Sequence, residues 1–332
     1  MLRIALFDAH KFERAPFNDA NKEYGFTIEM IEARLSLKTV ALANGYDVVC
    51  SFVNDKLDAE VITQLKEYGV KLIALRSAGF NHVDLNAAGA AGIKVVRVPA
   101  YSPYAVAEHA VCLILALNRK IHRSFARVRE LNFSLDGLVG FDLHGKTVGV
   151  IGTGKIGEVF CKIMLGFGCK VIAFDPQINE SLVGQVNFQY VSFDELLLGS
   201  DIISLHAPLV PQTLHMLDFD QFAKMKSGVV VINTSRGKLI NTEALIDALK
   251  KHKVGAAGLD VYEEEENVFF QDLSETGIED DILARLLTFP NVLITSHQAF
   301  LTNEALGNIA TTTLSNILAF SKGHHLDNEV RK

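Results

Sequence analysis

The chain has 332 residues, of which 49% are hydrophobic and 21% charged, an ordinary globular balance that excludes a disordered chain and suggests two domains. Net charge is −7 at pH 7, so a basic nucleic-acid-binding surface is not expected. No apolar run approaches the roughly 18 residues of a membrane span, and the early Asp8 does not suit a signal peptide.

β-Branched runs over Arg3–Phe7, Thr27–Ile31, Asp47–Phe52, Lys71–Leu75 and Lys94–Val98 predict strands. Between them lie helical patterns, Asp58–Tyr68 with Val61, Ile62 and Leu65 on one face, and the Ala-rich Leu85–Ala91. A long apolar helix is expected over about Ala105–Asn118, followed by a more polar stretch, Arg119–His144. A second strand series then covers Thr147–Ile151, Lys170–Asp175, Ile202–His206, Val229–Asn233, Ala256–Asp260 and Val292–Thr295, and Asn303–Phe320 reads as an amphipathic helix. Strands alternating with helices imply βαβ units. The expected fold is α/β, with two Rossmann-like or flavodoxin-like parallel-sheet domains, residues 1–101 with 299–332 and residues 102–298. A cleft between them is the default ligand site. Cys50, Cys112, Cys161 and Cys169 show no C-x-x-C spacing, which fits reduced thiols in a cytoplasmic protein and no metal centre.

Gly152-Thr-Gly154-Lys155-Ile156-Gly157 directly follows an inferred strand and opens a helix. The first glycine permits the tight turn, the second lets backbone approach a pyrophosphate, and the third lets helix and strand pack closely. The helix N-terminus adds N–H donors for the phosphates. The next strand ends in Asp175, eighteen residues beyond Gly157, near the spacing of a carboxylate on the ribose hydroxyls. Pro176 follows it and no arginine sits beside it, so NAD is favoured over NADP. A strand-to-helix turn in a protein without nucleotide is the plainer reading; the paired glycine and acid signals favour the dinucleotide. Residues 102–298 are then the NAD-binding domain, and 1–101 with 299–332 the substrate domain.

Three segments stand at the carboxyl ends of inferred strands, where open α/β sheets bind ligands. They are Asn233-Thr234-Ser235-Arg236-Gly237, Gly258-Leu-Asp260-Val-Tyr-Glu-Glu-Glu265 and Thr295-Ser-His297-Gln-Ala-Phe300. Singly each has a bland reading: a surface arginine, a solvated acidic run over Glu263–Glu266, a structural histidine. An arginine, an acid and a histidine at three successive strand ends, in a domain with a dinucleotide fingerprint, point to chemistry.

These residues resemble the D-isomer-specific 2-hydroxyacid dehydrogenase family over essentially the whole length, through Arg76-Ser77-Ala78-Gly79-Phe-Asn81, Gly152–Gly157, Asn233–Gly237, Asp260 to Glu265 and His297. Leu131–Gly137, Ser296–Glu304 and Val268–Phe270 are most similar to the family's fermentative, NAD-dependent D-lactate branch. The resemblance implies reversible reduction of pyruvate to D-lactate. It makes Arg236 the group that binds carboxylate and carbonyl oxygen, since a guanidinium matches paired oxygens. It makes His297 the acid and base, an imidazole ordinarily titrating near neutrality. Glu265 would orient that ring and favour its protonated form. It is preferred over its acidic neighbours because it falls five residues after Asp260, which the pattern sets beside the nicotinamide.

The resemblance also implies cofactor contacts from His206-Ala207-Pro208, Thr213, Thr234 and Ser235. Substrate contacts come from the Ser77–Gly79 amides and from Tyr101, with Phe52 and Phe300 walling the side-chain pocket. Plainer roles stand beside these: a turn at Ser77–Gly79, a hinge at Tyr101, core packing for the phenylalanines. A homo-oligomer, dimer or tetramer, is expected through about residues 100–145. The rivals are another 2-oxoacid reductase of the family, acting on hydroxypyruvate, glyoxylate or a branched 2-oxoacid, and an NAD-sensing binding protein. His324 and His325 receive no role.

Overall fold

Runs such as Val48-Val-Cys-Ser51 and Leu72-Ile-Ala-Leu75 are buried at every position, as expected of parallel strands covered by helices on both faces. The computed structural model describes residues 2–265 and 268–331; Glu266, the last of the acidic run, lies outside them. The chain forms two units, Met1–Ser102 with Leu301–Lys332, and Pro103–Phe300.

The first unit comprises β1 (Arg3–Leu6), α1 (Lys11–Tyr24), β2 (Thr27–Met30), β3 (Val48–Ser51), α2 (Ala59–Glu67), β4 (Leu72–Leu75), α3 (Leu85–Ala91) and β5 (Lys94–Val96). Its strands are all parallel, in the order β2-β1-β3-β4-β5, the flavodoxin-like arrangement. Asp58 and Asp84 cap α2 and α3 through their carboxylates, answering backbone N–H groups that have no helical partner. Val61, Ile62 and Leu65 of α2 pack on Val49, Ile73 and Val95.

The second unit holds α4 (Pro103–Asn118), α5 (Ile121–Arg129), β6 (Thr147–Ile151), α6 (Lys155–Gly166), β7 (Lys170–Phe174), β8 (Phe188–Tyr190) and α7 (Phe193–Gly199). It continues through β9 (Ile202–Leu205), α8 (Phe219–Lys224), β10 (Val229–Asn233), α9 (Thr242–Lys250), β11 (Val254–Leu259), α10 (Asp281–Leu287) and β12 (Val292–Ile294). Its sheet is parallel, in the order β12-β11-β10-β9-β6-β7-β8. This is the doubly wound Rossmann order with a seventh strand, and the order reverses between β6 and β9. Leu113, Ile114 and Leu117 of α4 fill one face; Leu245 and Leu249 of α9 fill the other. The chain then returns to the first unit as α11 (Asn303–Ser321), whose Ala310, Leu314 and Ile317 join Phe17 of α1 under β1, β3 and β4. Among the described residues no helix is long and apolar enough to cross a membrane.

At the end of β4 stands Arg76, with its side chain 0% exposed. The guanidinium grips Glu13 of α1 through Nε (2.7 Å) and Nη2 (3.2 Å). It also donates to the carbonyls of Cys50, Phe7 and Asp8. Every edge of the guanidinium is thus satisfied, and it fastens α1, β1 and β3 to the base of the Ser77–Gly79 loop. Stripping one partner from a buried ion pair typically costs about 3–5 kcal/mol. Arg76→Ala is accordingly expected to lower stability by about that much in denaturant titration; a loss below about 1 kcal/mol would contradict the clamp.

Candidate active site

The registers of five strands place Ile151, Leu205, Asn233, Leu259 and Ile294 in one row across the second sheet, with Phe174 paired to Ile151. The next residue on each strand begins a segment singled out above: Gly152, His206, Thr234, Asp260, Thr295 and Asp175. The sheet therefore delivers the glycine turn, the acid and the arginine, carboxylate and histidine segments to one edge.

The three glycines of the turn differ physically. Gly152 has φ +95°, and a Cβ there would meet the His206 carbonyl at 2.7 Å. A Cβ on Gly157 would stand 2.0 Å from the Gly152 oxygen. Both positions need glycine for the fold itself. Gly154 has φ −64° and nothing within 4 Å of where a Cβ would go. The fold itself does not require glycine there, and a side chain at this position would occupy the open space. The N–H groups of Gly154, Lys155, Ile156 and Gly157 donate to no acceptor among the described residues. Open space over four free amides at a helix N-terminus fits a pyrophosphate. Gly154→Val should therefore keep stability within about 0.5 kcal/mol yet weaken NADH binding at least about tenfold. Calorimetry with fluorescence titration checks both; unchanged NADH affinity would remove Gly154 from the cradle.

Asp175 holds this turn from β7, its Oδ2 accepting from Thr153 N (2.6 Å) and Thr153 Oγ1 (3.2 Å). Tyr190 donates to Thr153 Oγ1 at 2.9 Å, and Asn179 donates to the Thr153 carbonyl and to Glu158. Sequence reasoning missed Tyr190 and Asn179, which lie on and before the short edge strand β8. His206 turns its ring against Phe160, 4.7 Å away, and donates or accepts at Ser204 Oγ. Burial pushes this imidazole down to about 3, so it is neutral, and its backbone is the part that meets Gly152. Ala207 accepts from Ser235 Oγ, while the Thr213 hydroxyl is spent on the carbonyls of Pro208 and Val210. Thr234 Oγ1 is buried without a partner among the described residues.

Arg236 leaves β10 in extended backbone, half-buried, with Nη1 on the Ser235 carbonyl. Among the described residues it makes no ion pair, so most of its fork is uncommitted. Asn233 fixes its turn, bonding Ser235 N and the Arg236 carbonyl. Gly237 follows because a Cβ there would lie 2.0 Å from the Tyr262 oxygen. That close approach sets the arginine turn against the segment bearing Glu265.

His297 has φ +54°, a left-handed backbone uncommon outside glycine. Its Nδ1 meets Glu265 Oε1 at 2.8 Å, and the other Glu265 oxygen accepts from Tyr262 N. Nε2 has no partner among the described residues. The two side chains are 20% and 21% exposed, open enough to meet a small molecule. The acidic run resolves accordingly: Glu265 faces the histidine, Glu263 bonds elsewhere, and Glu264 lies out near Lys238.

Asp260 is wholly buried. Its carboxylate accepts from Gln298 N, Ala299 N and Thr295 Oγ1, and its carbonyl from His297 N. His109 of α4 supports the same point, 3.1 Å from Thr295 Oγ1. Asp260 thus builds the loop that aims His297. Phe300 ends that loop, half-buried.

In the first unit, the N–H groups of Ser77, Ala78 and Gly79 donate to no acceptor among the described residues. Ser77 Oγ instead bonds the Gly79 carbonyl at 2.7 Å, and Arg97 holds the Ala78 carbonyl. Consecutive backbone N–H groups without acceptors are the kind of donors that anion-binding nests use. Phe52 is 4% exposed, edge-on to His10 and over Arg76. Tyr101 is half-buried, its carbonyl taken by Asn308.

Residues 111–299 match the family model described as D-isomer specific 2-hydroxyacid dehydrogenase, NAD binding domain. The chain is 51% identical to a 2-hydroxyacid dehydrogenase homolog of Haemophilus influenzae, over 99% of both chains. It is 48% identical to the D-lactate dehydrogenase of Escherichia coli, covering 99% of this chain and 100% of that one. A solved structure of the pyruvate reductase of Chlamydomonas reinhardtii superposes with a TM-score of 0.93 at 46% identity, covering 99% and 98%. The glycine turn and its free amides fit the NAD that such a domain binds. The chain belongs to the D-isomer-specific 2-hydroxyacid dehydrogenase family, whose members are NAD-dependent oxidoreductases.

Proposed function

We propose that the protein catalyses reversible, NADH-dependent reduction of pyruvate to D-lactate. The observation carrying this reading is the His297–Glu265 pair at 2.8 Å with Nε2 open, Glu265 following the strand next to that of Arg236 and His297 the strand beyond it. The Arg236 guanidinium binds the substrate carboxylate and polarises the keto oxygen. The Ser77–Gly79 amides take the remaining carboxylate lone pairs. Reduced nicotinamide supplies the hydride when bound. His297 gives a proton from Nε2 to the keto oxygen and recovers it from the hydroxyl in the reverse direction. Glu265 holds Nδ1–H, fixing the tautomer and the orientation of the ring.

Tyr101, Phe52 and Phe300 border the substrate, and Thr234, Ser235, Thr213 and the His206–Pro208 stretch border the cofactor. Names borne by relatives, D-lactate dehydrogenase and pyruvate reductase, support the substrate. The side chains of Phe125, Leu131, Phe133, Leu135 and Val139 are exposed, which supports a homo-oligomer, dimer or tetramer, through residues 100–145. Four free cysteines, Cys50, Cys161 and Cys169 buried and Cys112 exposed, suit a reducing, cytoplasmic setting.

A spectrophotometric assay of NADH oxidation with a panel of 2-oxoacids tests the proposal. Pyruvate is expected to give the highest kcat/KM. Preference for glyoxylate, hydroxypyruvate or a branched 2-oxoacid would reassign the substrate, and no turnover with any would return the chain to an NAD-binding role.

A further inference from the structure

Two histidines of the second unit meet carboxylates of one short segment, Tyr262–Glu265, and both have left-handed backbones, His297 at φ +54° and His215 at φ +49°. Such conformations persist only where the surroundings over-determine them, and they cluster at working sites. His297 meets Glu265. His215 meets Glu263 through Nε2 at 2.5 Å. The second Glu263 oxygen accepts from Thr242 Oγ1 (2.8 Å) and Thr242 N (3.1 Å) at the start of α9. The loop carrying His215 is tied to the arginine segment as well, since His215 N donates to the Lys238 carbonyl and Leu217 N to that of Leu239.

One carboxylate therefore joins three segments: the loop after β9, the start of α9, which follows the Arg236 turn, and the segment after β11 bearing Glu265. Glu264 makes a looser contact, 3.4 Å from Lys238, and is 67% exposed, so it holds little. Glu263 is 19% exposed and fully engaged.

We propose that Glu263 is a positioning residue for the reaction: by bonding His215 and Thr242 together it fixes the Tyr262–Glu265 segment so that Glu265 stays registered against His297. It touches neither substrate nor cofactor and acts through Glu265. A carboxylate is required because the two arms need acceptors pointing apart, one to an imidazole N–H and one to a paired N–H and O–H. Misplacement of a catalytic group by an ångström can cost up to about a hundredfold in rate, so loosening this junction should register in kcat. The inference rests on the reading of Glu265 and His297 given above.

A double-mutant cycle tests it, using the full chain and its fastest 2-oxoacid at saturating NADH. Glu263→Ala should lower kcat about tenfold, with KM for NADH changed less than about twofold. In the Glu265→Gln background the same replacement should cost nothing further, because the path it acts through is already cut. Glu263→Gln, which keeps the volume and one acceptor, should recover part of the loss and serves the same cycle if the alanine variant does not fold. Additive losses in the double variant, or a folded Glu263→Ala with wild-type kcat, would overturn the proposal. Wild-type kcat in Glu265→Gln alone would overturn the reading of the pair, and this inference with it.

Discussion

His297→Gln is expected to lower kcat for 2-oxoacid reduction at least about a hundredfold, the low end for a positioned acid–base group. Glutamine keeps the volume and a donor but cannot exchange a proton with substrate near neutral pH. The binding groups are untouched, so KM for NADH should hold. The His297 backbone is anchored by Asp260 rather than by its ring, the N–H bonding the Asp260 carbonyl at 2.7 Å. The variant should therefore fold, and Glu265 is left facing an amide. Steady-state kinetics of the purified variant decide the matter; turnover within a few-fold of wild type would take His297 out of the proton transfer.

Arg236→Lys is expected to be at least as damaging, read mainly in kcat/KM. A charge-assisted hydrogen bond contributes about 1.5–3 kcal/mol, and a guanidinium can offer two in parallel where an ammonium offers a point charge. Losing the paired geometry on both carboxylate and keto oxygen should cost on the order of a thousandfold in kcat/KM. Part of that loss falls on kcat, because the keto oxygen carries more charge as the carbon is reduced. A lysine variant with a raised KM alone and wild-type kcat would show that Arg236 only binds the carboxylate.

The strands were legible because parallel strands buried on both faces read as unbroken apolar runs; β6 and β10 match their expected limits residue for residue. The terminal helix was legible from its periodicity, ending at Ser321 where Phe320 was expected. Helix α1 leaves no apolar period in the sequence, because its buried residues are Phe17 and the charged Glu13, whose partner Arg76 is sixty-three positions away. Helix α5 is hard to see within the polar stretch because its apolar positions, Ile121, Phe125 and Val128, are few among His122, Arg123, Arg127 and Arg129; the structure leaves all three exposed. Strand β8 has three residues and sits at the sheet edge, too short for a period to show.

The site divides the same way. Motif spacing put Arg236, Glu265 and His297 at strand ends, and the parallel registers explain why that suffices to gather them at one edge. The five-residue step from Asp260 also picked out Glu265 from the acidic run, and Glu265 is the carboxylate that meets the imidazole, but spacing could not say that its neighbour Glu263 binds His215 from forty-eight positions away. The family resemblance implied a place for Asp260 beside the cofactor and did not show that its carboxylate is buried under the His297 loop. Such partners are products of tertiary folding and leave no local pattern.

A crystal structure of the protein with NADH and oxamate, an unreactive mimic of pyruvate, probes the convergence most directly. The guanidinium of Arg236 should lie on the oxamate carboxylate and the Nε2 of His297 within about 3 Å of its amide oxygen, the reach of a hydrogen bond. Oxamate bound elsewhere, or an imidazole turned away from it with Glu265 unpaired, would contradict the account.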